Sequence, residues 1–482
     1  MATNDNFQKK PYASSFTPIR ISIWKVGEES GKPYANLASI TSIFKYYEDM
    51  FVPTYSGVIV VKDNQENLPA TMPIQGFEKV EIEVEDVLKE RYTYTFRVWT
   101  IGNRNISERS QFYTLGLISE EALLNEGIRV NTIFEGNIAE QVQKLLSDKL
   151  LVTNIDIEKS ANSVKILPTK KTPFALIRSL QLKTIPGNVR PASKTASIKT
   201  SNSANISITS DVGNGAEKAT GTAGYLFFQT RKGYVFKSID LLSSTDTKSG
   251  GKAVVNKNPF VLSYGKDNTE SLNKIQEIIF DSEINMMEKL REGVFSSIVC
   301  YFNINTGKYT EYVYSLNDVW KNMVHLGSQI NLPSAQAALS EYPSRVMSTI
   351  ISHETWYNGT SIASNESEDS GESTNDNQYP DWQKQYLSQG ISRVGVMFNQ
   401  QLIISLTGHL ELCAGDKIEI RIPNQTDDES RKKEVWDPEH SGTYLIQKLN
   451  HQFDIQNKQV YTVLDLMRDS CGIINKESKV GQ

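Results

Sequence analysis

Two short stretches of the sequence combine residue types that bind zinc in enzymes. His353-Glu354 matches the first half of the His-Glu-x-x-His motif, in which two histidines one helical turn apart bind the metal. The second histidine would fall at position 357, where the residue is Tyr357. The stretch His409–Cys413 matches part of a zinc deaminase signature, but the Pro-Cys-x-x-Cys half is missing. Neither stretch predicts a metal site.

The remaining sequence offers no other catalytic pattern. It contains neither a Gly-rich phosphate-binding loop before Lys-Ser/Thr nor a Gly-x-Ser-x-Gly turn. Cys300, Cys413 and Cys471 are odd in number and far apart, which argues against a disulfide framework or a zinc cluster. We therefore predict a protein that is not an enzyme, with no catalytic, cofactor-binding or metal-binding residues. A carboxylate pair that forms only in the folded chain stays open.

Length and charge set the class of protein. A chain of 482 residues predicts three or four domains, and a hydrophobic content of 39% is enough for ordinary buried cores. The 51 basic and 56 acidic residues give a net charge of −5, so there is no bulk attraction to nucleic acid. No stretch approaches 18 apolar residues and the N-terminus lacks a signal-peptide pattern, which predicts neither standard secretion nor membrane insertion.

Both ends of the chain predict antiparallel β-units. Near the C-terminus, Ile418, Ile420 and Ile422 alternate with charged residues, the period of a strand with one buried face. The N-terminal end shows the same alternation from Ile19 to Trp24 and in two later stretches. The predicted strands further along lie at 58–61, 80–84, 92–98, 394–398, 402–406, 444–449 and 460–466. Each end therefore predicts a small barrel or sandwich.

Helices and a hairpin are predicted between the two β-units. Ser119, Asn137 and Thr172 are predicted helix caps, and Pro173 follows the third cap at a favourable first helical position. Strands at 225–228 and 234–236 flank a short turn and predict a hairpin. Because an isolated hairpin is marginally stable, we expect it to join the C-terminal sheet.

The rest of the middle region predicts an inserted α+β unit and two loops. The inserted unit has predicted helices at 272–280 and 283–291 and predicted strands at 296–302 and 309–314. Residues 188–224 are rich in Ser, Thr and Asn, and residues 363–378 are acidic, compositions that predict loops.

The resulting fold class is a multi-domain, β-rich α+β protein with two antiparallel β-units, each a small barrel or sandwich, and two smaller α/β domains. The predicted parts are a flexible N-terminus (1–14), a first barrel (15–110), an α/β domain (111–187), a Ser/Thr-rich loop (188–224), a second barrel (225–250 plus 386–472), an inserted α+β domain (251–330), a linker with the acidic loop (331–385) and a C-terminal tail (473–482).

The order of several motifs resembles that of the baseplate central hub protein of contractile-tailed, myovirus-type bacteriophages. The resemblance spans about residues 15 to 472 and rests on order and spacing, since each motif alone is weak. The motifs are Phe112–Glu121, Lys171–Ile177, Gly233–Ile239, Ala414–Asp416, Ser441–Ile446 and Arg468–Ser470. The chain departs from the compact family pattern in its long Ser/Thr/Asn-rich and acidic loops.

The resemblance implies a structural virion protein of the tail baseplate, assembled in the host cytoplasm. It implies a homotrimer in which each chain contributes two tube-like antiparallel β-barrels. The six barrels form a pseudo-sixfold ring, which adapts a threefold spike to a sixfold tail tube. The implied partners are the trimeric tail spike protein, tail-tube initiator proteins, the tape-measure protein and neighbouring baseplate proteins. Phage DNA would pass through the channel without sequence-specific binding, and no cofactor and no membrane insertion are implied.

Two alternatives remain, together with one hypothesis about the channel. The nearer alternative is the hub of a related contractile injection system, type VI or pyocin-like, in which hub and spike are often fused; the chain ends ten residues after Gly472 without a spike-like repeat, which favours the phage type. The more distant alternative is a particle-associated glycan hydrolase or receptor-binding module. If Glu81, Glu83 and Glu419 line the channel, we expect them to repel the DNA backbone.

Overall fold

Strands dominate the structure. The computed structural model describes residues 14–63, 73–107, 110–160, 163–186, 222–247, 250–256, 258–262, 273–280, 285–303, 307–328, 331–351, 382–424 and 436–472. The strands are β1 (Thr17–Trp24), β2 (Ala35–Asn36), β3 (Thr41–Asp49), β4 (Ser56–Asp63), β5 (Lys79–Glu85), β6 (Arg91–Ile106), β7 (Gln111–Ile118), β8 (Phe134–Asn137), β9 (Ile155–Ile157), β10 (Ser163–Ile166), β11 (Tyr225–Thr230), β12 (Gly233–Ser238), β13 (Phe260–Leu262), β14 (Lys274–Phe280), β15 (Ser296–Asn303), β16 (Lys308–Ser315), β17 (Arg345–Ile351), β18 (Gln400–Thr407), β19 (Lys417–Arg421), β20 (Gly442–Asp454) and β21 (Gln459–Arg468).

The helices are short, apart from the last. They are α1 (Glu120–Gly127), α2 (Ile138–Lys144), α3 (Pro173–Gln181), α4 (Ile239–Ser243), α5 (Met286–Glu292), α6 (Leu316–Val319), α7 (Ser334–Leu339) and α8 (Trp382–Met397). A π-helical turn, Leu145–Lys149, extends α2, and a 3-10 turn, Trp320–Asn322, follows α6. Across the segments that the structure describes, none of the helices has the length and apolar character needed to span a membrane.

Six strands close into a barrel: four lie between residues 400 and 468, and two, β13 and β14, come from the region that the sequence predicted as an inserted domain. Their order is β19-β13-β14-β18-β21-β20, and β20 pairs back with β19. The closure follows from the predicted alternation, since Ile418 and Ile420 of β19 are fully buried, as are Ile404 and Leu406 of β18. The prediction of a β-barrel in this region is therefore confirmed.

The N-terminal strands form a first β-unit that shares a strand with this second barrel. Its order is β3-β4-β7-β6-β5-β1-β2, and β3 continues the sheet onto β20. Strand β20 pairs with β19 through its first four residues and with β3 from Lys448 to Asp454, and it changes partner at the bulge at Gln447. Ser15, just before β1, bridges to Gln459 of β21. The β20–β21 hairpin thus forms one boundary of the first unit. The sequence predicted that the first unit is a barrel separate from the second.

One hydrophobic core fills both β-units. Phe453 of β20 stacks on Phe44 of β3, with ring centroids 5.2 Å apart, and meets Phe16 edge-on at the same separation. Both Phe44 and Phe453 are fully buried. Burial of such aromatic side chains is worth several kcal/mol, so the two units stabilise each other.

The β11–β12 hairpin does not join the second barrel, which corrects the prediction. Strand β12 pairs in parallel with β9, and the three strands form a separate sheet. Both faces of the hairpin are apolar. Phe227 and Phe236 pack into the core around α2 and α3, whereas Leu226 and Phe228 pack against Leu445 and Met467 of the second barrel. The hairpin therefore contacts the barrel through side chains and not through a ladder.

Two segments adopt the opposite secondary structure to that predicted. Residues 274–280 form strand β14 rather than a helix, because they pair with β18. Residues 394–397 form the end of helix α8 and not a strand. The apolar run from Val394 to Phe398 is too short for its period to distinguish a helix from a strand. The predicted loops at 188–221 and 363–378 lie outside the described residues.

The predicted helix caps and the predicted strands of the inserted unit agree better with the structure. The Asn137 side chain accepts a hydrogen bond from the Ala139 amide at 3.0 Å, and Thr172 accepts one from the Ala175 amide at 3.4 Å. Ser119 stands at the start of α1 without a side-chain capping bond. Strands β15 and β16 lie where the sequence predicted them, and helix α5 covers part of the predicted 283–291 helix.

Two glycines in α8 provide a matched test of its packing. A Cβ at Gly390 would have its nearest neighbour 3.8 Å away, whereas a Cβ at Gly395 would lie 2.4 Å from Val294 Cγ2. We expect Gly390→Ala to stabilise the protein by up to about 1 kcal/mol. We expect Gly395→Ala to destabilise it by about 1–3 kcal/mol through overpacking. Urea unfolding of both variants checks this, and equal midpoints would contradict the packing of α8 on Val294.

Candidate functional site

The two β-units present one continuous wall on the side away from their shared core. A single register row crosses ten strands of this wall. The row consists of Glu277, Ser405, Val463, Asn450, Tyr47, Ser56, Ile118, Arg97, Lys79 and Trp24. The sequence neighbours of these residues, such as Ile404, Leu464 and Leu449, point into the core. At the usual strand spacing the row extends about 43 Å along the wall.

The carboxylates predicted to make this wall repulsive to DNA are paired with cations. Arg20 Nη2 lies 3.2 Å from Glu81 Oε1 and 2.8 Å from Glu83 Oε1, and Lys79 Nζ lies 3.3 Å from Glu81 Oε2. In the second barrel, Glu419 forms an ion pair with Arg421. The sequence-based hypothesis treated these carboxylates as unpaired, whereas their cation partners cancel much of their charge locally.

A buried ion-pair cluster ties the inserted region to the second barrel. The fully buried Arg393 of α8 donates from Nε to Asp240 at 2.9 Å and from Nη1 to Asp469 at 3.0 Å. His325 Nδ1 lies 2.8 Å from Asp469, and the Leu326 amide donates to the same carboxylate at 3.0 Å. Although burial opposes its ionisation, Arg393, His325 and this amide hold the pKa of Asp469 well below its usual value. The cluster thus joins four separate segments of the chain.

A second polar site, which we call the junction, lies where the first β-unit, the hairpin and the second barrel meet. Glu48 of β3 accepts hydrogen bonds from the Tyr46 hydroxyl (2.6 Å), the Arg231 amide (2.6 Å) and the Ala414 amide (2.7 Å). Its side chain is fully buried, and among the described residues no cationic side chain lies within 4 Å of it. Burial outweighs the three hydrogen bonds and raises the pKa of Glu48 to about 7.

The residues considered for chemistry that the structure describes form local contacts. His409 Nδ1 lies 2.9 Å from Glu411 Oε1, while burial raises the pKa of Cys413 and keeps the thiol neutral. Positions 353 and 357 lie outside the described residues. Within the described segments, no group of three His, Cys, Asp or Glu side chains is arranged to hold a metal ion.

A cavity of about 140 Å³ lies beside the end of the second barrel. Two of its polar side chains, Gln400 and Asn399, bond within the protein. Gln400 donates to the Glu439 carbonyl at 3.3 Å and to Cys471 Sγ at 3.1 Å, and Asn399 donates to the Asp469 carbonyl at 2.9 Å. These groups have little capacity left to bind a ligand.

Sequence reasoning missed both buried polar sites. Glu48 could have been found, since it has the same strand parity as Phe44 and Tyr46 and so had to point into the core. Arg393 and Asp240 carry no local signal, because they lie 153 positions apart and meet only through the tertiary fold.

No protein-family model matches the chain, and no curated protein matches it. Several solved structures are similar to it, and three of them serve as examples. A tail protein from Neisseria meningitidis is 11% identical, with a TM-score of 0.48 over 94% of this chain and 97% of that one. A prophage 43 kDa tail protein from Shewanella oneidensis is 9% identical, with a TM-score of 0.47 over 93% and 98%. An Escherichia coli type VI secretion component, described as similar to bacteriophage T4 tail proteins, is 9% identical, with a TM-score of 0.39 over 89% and 74%.

Phage tail proteins are thus among the solved structures to which this chain is similar. Since all three TM-scores lie below 0.5, no role of these proteins is transferred to the chain.

Proposed function

We propose that this chain is a non-enzymatic structural protein of a phage-type tail and that it acts there as the central hub of the baseplate. Three copies form a ring that adapts the threefold spike to the sixfold tail tube. The tail assignment rests on the order of sequence motifs from Phe112–Glu121 to Arg468–Ser470. The ring rests on the geometry of the chain itself.

The wall shared by the two β-units is the observation that carries the proposal. Strand β20 closes the second barrel with its first residues and extends the sheet of the first unit with its last, so the two units lie edge to edge. A chain that presents two β-units in one wall supplies six units when three copies associate head to tail. A closed ring of this kind leaves few exposed strand edges.

The other parts of the proposal follow from this arrangement. One rim of the ring seats the tail-tube initiator proteins and the other holds the trimeric spike, while the tape-measure protein and then DNA occupy the channel. The parts of the middle region that do not belong to the two β-units, among them helices α1 to α3 and strands β15 to β17, lie outside the ring and contact neighbouring baseplate proteins. Pairing of basic with acidic side chains on the wall, such as Arg20 with Glu83, weakens the attraction of these cations for the DNA backbone.

Mass measurement and electron-microscope projections of the purified chain test the proposal. We expect a particle of about three times the 54.2 kDa chain mass, with a threefold annulus and a central hole, either alone or when a trimeric spike is co-expressed. A compact monomer that stays monomeric with the spike present would overturn the hub assignment.

A further inference from the structure

The junction at Glu48 holds three parts of the chain through one ionisable group. The Tyr46 hydroxyl belongs to the first β-unit, the Arg231 amide to the turn of the hairpin, and the Ala414 amide to the turn before β19 of the second barrel. All three hydrogen bonds end on the same carboxylate, at 2.6–2.7 Å. Any change in the charge of Glu48 therefore acts on all three contacts at once.

The charged groups around Glu48 do not compensate its charge directly. Arg231 offers its amide to Glu48, while its guanidinium stacks over the Tyr92 ring at 4.8 Å. Lys232 pairs with Asp416, with Nζ 3.4 Å from Oδ2. A fully buried carboxylate without a cation in contact pays a desolvation cost that hydrogen bonds only partly offset.

The remaining titratable neighbours keep one charge state between pH 5 and pH 8.5. They are Tyr46 on β3, Tyr55 before β4, Tyr94 on β6, Cys413 before β19 and His451 on β20. Burial raises the pKa of the three phenols and of the thiol, so these groups stay neutral. Burial also lowers the pKa of His451, which stacks on Tyr46, to about 3, so the imidazole is neutral as well.

We propose that Glu48 makes the junction proton-linked: the first β-unit, the hairpin and the second barrel close on one another with the uptake of a proton, and the closed junction weakens as the pH rises. The thermodynamic sign follows from linkage. The closed junction raises the pKa of Glu48 from an ordinary 4.5 to about 7, so closure is most favoured below pH 4.5 and loses this advantage as the pH rises through 7. Protonated Glu48 can still accept from both amides while it donates to the Tyr46 oxygen.

Hydrogen exchange of the full chain, followed by mass spectrometry, measures the closing equilibrium. The relevant amides are those of Arg231 and Ala414, whose exchange rates are corrected for the intrinsic effect of pH. We expect their protection to fall about tenfold between pH 6 and pH 8 in the wild type. In Glu48→Gln the corrected protection should be independent of pH. The control Glu83→Gln, which removes a partly exposed carboxylate of the wall, should behave as the wild type does.

A second variant keeps the test decisive if Glu48→Gln does not fold. The Tyr46 hydroxyl stabilises the charged form of Glu48, so Tyr46→Phe should move the midpoint of the pH dependence upward. Wild-type protection that is constant from pH 6 to pH 8 would overturn the proposal. An equal decline in Glu48→Gln, or an unmoved midpoint in Tyr46→Phe, would overturn it too. The proposal does not depend on the hub function, since it concerns a single chain.

Discussion

Replacing Arg393 with methionine is expected to lower the free energy of unfolding by about 3–5 kcal/mol. The guanidinium is fully buried and pairs with Asp240 and Asp469, which are almost fully buried themselves. Methionine preserves much of the side-chain volume, so the loss reports mainly on two carboxylates left without their cation. Urea unfolding at pH 7 measures the difference.

A matched control separates this effect from the loss of any positive charge. Lys448 pairs with Asp465 at 3.5 Å on the wall, with side chains 49% and 31% exposed. Solvent screens such a pair, so Lys448→Met should cost less than about 1 kcal/mol. Equal losses in the two variants would show that Arg393 does not hold the cluster together.

The loss of stability in Arg393→Met should depend on pH. Loss of Arg393 removes an influence that lowers the pKa of Asp469 against the effect of burial, so this pKa should rise from its depressed value. A raised carboxyl pKa favours the folded state at low pH and penalises it as the pH increases. The deficit of Arg393→Met relative to the wild type should therefore be smaller at pH 5 than at pH 8. Adding Asp240→Asn and Asp469→Asn should recover part of the stability, since it removes the unpaired charges.

The sequence predicts strands well where apolar and charged residues alternate. The alternation from Ile418 to Ile422 indicates both the strand and its inward face, and the caps at Asn137 and Thr172 mark real helix starts. Prediction fails where both faces of a strand are apolar. The β11–β12 hairpin is apolar on both faces, so its pattern cannot reveal which neighbour each face contacts.

The way in which the two β-units are joined could not be predicted from local pattern. The sequence predicted a strand only at 444–449 of β20, and nothing near Gln447 shows that the partner of this strand changes from β19 to β3. That change is a tertiary event, since β3 lies about 400 residues earlier in the chain. The ion pair between Arg393 and Asp240 is non-local in the same way. Sequence therefore predicted many of the elements, although not β3 or the second half of β20, and it missed the contacts that unite them.

Phe453→Ala is expected to lower the free energy of unfolding by about 3–5 kcal/mol, because it empties a fully buried site between the two β-units. The ring stacks on Phe44 and also meets Phe16 and Tyr94, at centroid distances of 5.2 and 6.0 Å. Urea unfolding measures the loss. The control Phe302→Ala removes a side chain that is 44% exposed on β15 and should cost less than about 1 kcal/mol.

The strands in which Phe453→Ala reduces hydrogen-exchange protection show whether the wall unfolds as one cooperative unit. Phe44 belongs to the first unit and Phe453 to the second barrel, and both lie in a single core. Hydrogen exchange should therefore show reduced protection in β5 and in β18 together, although the substitution lies in β20. Reduced protection in only one of them would mean that the units unfold independently. Two independent units would be hinged at β20, whereas a ring that bears load between a spike and a tube requires a wall that resists bending there.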